Sequence, residues 1–111
     1  MFAIARFSSA SISPWSEAEL FTHARLALDV LATRTGYLGG RFGVATDQEF
    51  DRARGSTPQS IYALVTQWEN IGSYRRALSE FEIKVEVVPL LSRAIDEPGG
   101  FEEIALTADS E

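Results

Sequence analysis

Two segments of this chain are apolar on both faces of an alternating pattern, and that restricts the folds it can adopt. In residues 2–8, FAIARFS, Phe2 and Ile4 point one way while Ala3, Ala5 and Phe7 point the other. In residues 59–69, QSIYALVTQWE, Ile61, Ala63 and Val65 face one side and Tyr62, Leu64 and Trp68 the other. A strand that buries both faces belongs inside a sheet. Residues 37–46 read as a weaker, edge strand. Leu38, Phe42 and Val44 share one face and Tyr37 and Arg41 the other, while Gly39, Gly40 and Gly43 hint at a bulge or a close backbone approach.

Helical spacing fills the gaps between these strands. Leu20, Phe21, Ala24, Ala27, Leu28 and Leu31 form one apolar face, with Arg25 and Asp29 opposite. This helix opens either at Ser13-Pro14, since proline suits the first turn, or one turn later at the Ser16/Glu19 capping box. Gly36 ends it. In VTQWENIGSYRRAL (residues 65–78) the period changes at Asn70, a good N-cap, and Ile71, Tyr74, Ala77 and Leu78 fall on one side of the helix that follows. Residues 47–58, DQEFDRARGSTP, have no period and predict a mobile hairpin loop.

Residues 81–95 fit two readings. FEIKVEV alternates like a strand, yet Phe81, Val85, Val88 and Ile95 also fit a helical face; a helix is preferred. Residues 97–100, EPGG, read as a turn, residues 101–107 as a last strand, and residues 108–111 as a frayed end. The order is β-α-β-β-α-β with one extra element, the split βαβ, ferredoxin-like pattern, in an α+β domain spanning residues 1–111. That pattern places its first and third strands in the middle of the sheet, the two segments that are apolar on both faces.

Two helices cover one face of such an antiparallel sheet. The reverse face would carry several large apolar groups, more than a soluble monomer usually exposes. A second copy packed sheet to sheet covers it, so a homodimer is expected; the alternative is that the 81–95 segment folds across that face.

Composition removes several function classes. The net charge is −6, Lys84 is the only lysine and the nine arginines are scattered, which argues against a nucleic-acid binder. There is no cysteine, hence no disulfide, thiolate metal site or cysteine nucleophile. No run of eighteen apolar residues predicts a membrane span, and the start does not read as a signal peptide, so a cytoplasmic location is the default expectation. Gly39-Gly40 and Gly99-Gly100 lack the strand–glycine–helix context of a phosphate loop.

The strand ending in VTQWEN, the short helix IGSYRRAL and the C-terminal EPGGFEEI resemble the antibiotic biosynthesis monooxygenase-like domains, dimeric α+β barrels of the ferredoxin-like class. The resemblance implies a cofactor-independent oxygenase acting on a small aromatic or polyketide-type substrate. It matches Trp68 to the family's tryptophan and Tyr74 to an aromatic on the next helix. Where the oxygenases carry an asparagine ahead of the tryptophan, this chain has Leu64. The haem-degrading branch needs a histidine on the helix after the tryptophan, and none follows Trp68 here. No cofactor or metal is expected.

The candidate catalytic residues are Trp68, Tyr74 and His23. Trp68 can stack on a flat substrate or fill the core. Tyr74 can donate to a carbonyl or phenolate, or pack with its hydroxyl at the rim. His23, the only histidine, can move a proton near neutral pH or sit at the margin of its helix; one histidine cannot build a three-histidine metal site. Tyr62 lies about 20 Å from Trp68 along the strand and marks the far end of the core. Arg6 faces the side of Phe2 and Ile4 and needs a partner: it can bind an anionic substrate or tie two subunits together, the second being preferred. Glu102 and Glu103 would point to opposite faces of a strand. Two readings stay open: the oxygenase, and a non-catalytic dimeric module that binds a small ligand or a protein.

Overall fold

The computed structural model describes residues 1–46 and 60–106. Strand β1 is Phe2–Ser8, followed by the short helix α1, Ser9–Ile12, and the long helix α2, Glu17–Leu31. Strands β2, Tyr37–Val44, and β3, Ile61–Trp68, come next. Helices α3, Ile71–Ser79, α4, Phe81–Glu86, and α5, Val88–Leu91, lead to β4, Gly100–Phe101. The strands form one antiparallel sheet in the order β2-β3-β1-β4. The two segments that are apolar on both faces thus occupy its middle. The expected hairpin loop, residues 47–58, lies outside the described residues.

Cross-strand pairing fixes which side chains share a face. Ala3, Ala5 and Phe7 of β1 lie opposite Thr66, Leu64 and Tyr62 of β3. This face packs against the helices, whose Leu20, Ala27, Leu31, Ala77, Ile83, Val87 and Leu90 complete the core around Phe7, Tyr62, Leu64 and Trp68. The bulge hinted at by the glycines is present between Tyr37 and Gly39. It changes the face assignment in β2. Tyr37, Phe42 and Val44 are paired with the core-facing Trp68, Leu64 and Tyr62, whereas Arg41 is paired with Val65 on the reverse face. The expected grouping of Leu38 with Phe42 and Val44 fails because the bulge shifts the alternation by one residue.

Side-chain caps set the helix starts. Ser16 is the N-cap of α2: its hydroxyl accepts from the Glu19 N–H at 3.1 Å, and Glu19 accepts from the Ser16 N–H at 2.8 Å. The later of the two expected starts is therefore the real one, because Ser9–Ile12 forms its own helical turn first, capped by Ser8. Asn70 caps α3 by accepting from the Ser73 N–H at 2.8 Å. Gly36, at φ +89°, makes the turn after α2 that lets the chain enter β2.

Residues 81–91 are helical, and their inward face differs from the expected one. Ile83, Val87 and Leu90 are fully buried, while Phe81, Val85 and Val88 are exposed at 82%, 50% and 37%. Because α4 and α5 pack into the core beside α2, this segment does not cover the reverse face of the sheet. Phe2, Ile4, Ile61 and Val65 remain only partly covered there.

The end of the chain also departs from expectation. β4 is two residues long, and residues 102–106 leave the sheet with Ile104 and Leu106 exposed at 80% and 87%. Among the described residues these side chains find little to pack against, so alternation alone does not hold them in a strand. Just before β4 the chain runs beside β1 twice: the Ile95 N–H donates to the Arg6 carbonyl at 2.7 Å, and the Ile4 N–H donates to the Gly99 carbonyl at 2.7 Å. Between these contacts Asp96 and Glu97 reach the rim of the site described next.

Candidate functional site

A cleft of about 350 Å³ lies between the core face of the sheet and the helices. Ala3, Ala5, Leu64 and Thr66 of the two central strands line its floor, and Leu31, Tyr74, Leu78 and Leu91 line its helical wall. Ile4 and, from the segment that runs beside β1, Ser92, Ala94, Ile95, Asp96, Glu97 and Gly99 complete it. Small side chains in β1 make the space: Ala3 and Ala5 stand where larger residues would meet the helices. The volume is that of a small-molecule site, mostly apolar with a few polar groups.

Three hydroxyls line this cleft, and Ser92 spends its proton on the Pro89 carbonyl at 2.8 Å, which leaves Thr66 and Tyr74 to define its chemistry. Thr66 is 4% exposed, and its Oγ1 accepts from the Trp68 indole Nε1–H at 2.9 Å. A hydroxyl can accept and donate at once. The Thr66 proton has no acceptor among the described residues. The Tyr74 hydroxyl likewise makes no hydrogen bond among them, and burial raises the Tyr74 pKa, which keeps its proton in place at neutral pH. Both groups are free to donate to a ligand.

Of the three expected site residues, Trp68 and Tyr74 are together and His23 is apart. Trp68 is 1% exposed, with ring centroids 5.6 Å from Tyr74 and 5.3 Å from Tyr37. It does not line the cleft; it sits behind Thr66 as core and orients that hydroxyl. His23 stacks flat on Trp15, centroids 4.0 Å apart, and the Arg93 guanidinium lies 4.2 Å from the centre of the Trp15 ring. His23 is not part of the cleft lining. Tyr62 is at the other end of the core, as its place on β3 suggests, stacked on Phe42 at 5.8 Å with its hydroxyl donating to the Glu17 carboxylate.

Arg6 finds its partner within its own chain. Its Nε and Nη2 donate to the two Glu97 oxygens, each at 2.7 Å. Glu97 belongs to both the rim of the cleft and a shallow depression on the reverse face with Arg6, Pro98 and Phe101. The Arg6 guanidinium holds the Glu97 carboxyl below the usual carboxylate range through hydrogen bonding and charge. A larger depression of about 590 Å³ on the reverse face is lined by Phe2, Leu38, Arg41, Val65 and Gln67 among others.

Thr66 was missed in the sequence, although a lone hydroxyl alternating with Leu64 and Trp68 is a readable signal for a buried polar group. Asp96 and Glu97 carry no such local signal; only the fold brings them to the cleft. Among the described residues no group of three or more His, Asp or Glu side chains is placed to hold a metal ion, and no helix is long and apolar enough to cross a membrane. No protein-family model matches the chain, and no curated protein matches it.

Proposed function

We propose that this protein is a small-ligand-binding module of the ferredoxin-like, dimeric α+β-barrel class, and that its cleft takes a small aromatic or otherwise apolar molecule bearing a hydrogen-bond acceptor. The observation that carries this reading is the pair of free hydroxyl donors, Thr66 and Tyr74, in an apolar cleft of about 350 Å³. Apolar walls supply affinity by excluding water, and the two donors set orientation. Naphthol is a fitting probe. Calorimetry should detect its binding to the wild-type protein, weaker binding to Tyr74→Phe, and none to Ala5→Leu, where added methyl groups fill the cleft. Equal binding by all three proteins would exclude the cleft as the site.

The homodimer belongs to the same proposal. Phe2, Ile4, Ile61 and Val65 lie partly open on the reverse face, with Leu38 exposed at 61%. Packing two such faces together removes this surface from water and covers the larger depression. The exposed Ile104 and Leu106 lie in the segment that leaves β4, and a second copy would give them something to pack against. Sedimentation equilibrium at micromolar concentration should give twice the chain mass, and Val65→Glu should halve it.

A second reading, a cofactor-independent oxygenase of the antibiotic biosynthesis monooxygenase-like kind, is favoured by one observation: Trp68 and Tyr74 are in contact beside the cleft. In that reaction the substrate anion reduces oxygen and the protein supplies donors and a dry pocket. His23 stands outside the cleft lining, so the base would have to be the substrate's own ionisation or a group other than His23. Oxygen uptake with anthrone-type phenols, abolished in Tyr74→Phe, would favour this reading over simple binding.

A further inference from the structure

The charge around the cleft is one-sided. Among the described residues, its lining holds two carboxylates, Asp96 and Glu97, and no Arg, Lys or His. Glu97 is compensated by Arg6, which takes both of its oxygens at 2.7 Å. Asp96, next to it on the same rim, is exposed and has no ion-pair partner among the described residues. The interior offers only neutral donors, Thr66 and Tyr74. An anion placed there would lose its water and gain no counter-charge, which is costly in a site of low polarity. It would also approach a rim already negative, on a protein of net charge −6. A cation at the rim meets the opposite situation.

We infer that the cleft selects a protonated amine: an apolar molecule whose body lies against Ala5 and Leu64, whose acceptor meets Thr66 or Tyr74, and whose ammonium sits at the rim beside Asp96. This rests on the reading of the cleft as a ligand site and adds the class of ligand. The acid rim is a specificity element, with Asp96 the principal counter-charge because Glu97 is already engaged. A carboxylate, sulfonate or phosphate on the same apolar body is disfavoured.

Three probes with one hydroxynaphthalene body, whose ring hydroxyl supplies the acceptor in each, separate the two claims: the aminomethyl derivative (the amine), the hydroxymethyl derivative (the alcohol) and the carboxylate (the naphthoate), titrated at pH 7 and low salt. The neutral alcohol tests the cleft; the ratio between the amine and the acid tests the charge. The amine should bind about tenfold or more tighter than naphthoate, with the alcohol between them, as expected when a rim carboxylate attracts one charge and repels the other. Asp96→Asn should shrink that ratio by about fivefold, with the alcohol's affinity measured in the same variant so that any change common to all three probes is divided out, and raising the salt should compress the ratio further. If the alcohol binds but naphthoate matches the amine, or if Asp96→Asn leaves the ratio intact, the charge selection is wrong and the cleft reading stands. If none of the three binds, the cleft reading falls and this inference falls with it.

Discussion

The indole Nε1–H of Trp68 donates to the hydroxyl oxygen of Thr66 at 2.9 Å, and both side chains stand on the buried face of β3 two residues apart. This one bond links the core to the cleft. The tryptophan has its buried donor satisfied, and the threonine is left with a proton to give.

Replacing Thr66 by valine keeps the shape and removes the acceptor. The Trp68 N–H is then buried without a partner, at a cost of about 1–3 kcal/mol. Thr66→Ser keeps the hydroxyl and should lose much less. Chemical denaturation of the two variants checks the difference, and naphthol affinity should fall in the valine variant alone.

The turn after α2 depends on a missing side chain. Gly36 has φ +89°, and a Cβ there would collide with the Ser73 side chain at the start of α3. Gly36→Ala should therefore destabilise by about 1–3 kcal/mol from backbone strain alone, with the contact against Ser73 adding to it. Gly39→Ala, with open space around the added methyl, should not show this collision. Denaturation midpoints of both variants test the contrast.

Helices α4 and α5 carry two apolar stripes, and only one is packed. Ile83→Ala should cost about 2–5 kcal/mol as a core truncation. Val85→Ala, at a half-exposed position, should stay within about 0.5 kcal/mol. A large loss at Val85 and none at Ile83 would reverse the assigned faces.

Acid should release the Arg6–Glu97 tie later than an ordinary carboxylate would suggest. The folded pKa of Glu97 is depressed, with the Arg6 hydrogen bond as the first cause. Its contribution is present above the ordinary carboxylate pKa and lost as pH falls through the lowered folded value. The stability difference between the wild-type protein and Glu97→Gln should be constant near neutrality and vanish only in that acid range. NMR titration of the Glu97 carboxyl carbon gives the folded value directly.

The parts of the fold legible in the sequence are those where local chemistry and global position agree. Residues 2–8 and 61–68 announce central strands because their apolar side chains occupy both alternation faces. Asn70 and Ser16 announce helix starts because their caps are local hydrogen bonds. The faces of β2 are not legible from alternation because one bulge between Tyr37 and Gly39 shifts everything after it. The helical face expected at Phe81, Val85, Val88 and Ile95 is not the packed one, because the segment is apolar on two sides and only tertiary packing selects the side of Ile83, Val87 and Leu90. In the site, the contact of Trp68 with Tyr74 follows from their places at a strand end and on the next helix. The Trp15 stack that holds His23 comes from a turn between α1 and α2, and the arrival of Asp96 and Glu97 comes from a segment running beside β1. Neither leaves a trace in local periodicity.

Two-dimensional amide NMR with naphthol tests the central claim most directly, because it locates the ligand as well as detecting it. The shifts should gather at Ala5, Leu64, Thr66, Tyr74 and Ala94, around the cleft. Shifts at Leu38, Arg41, Val65 and Gln67, with the cleft amides still, would put the ligand on the reverse face and contradict the account.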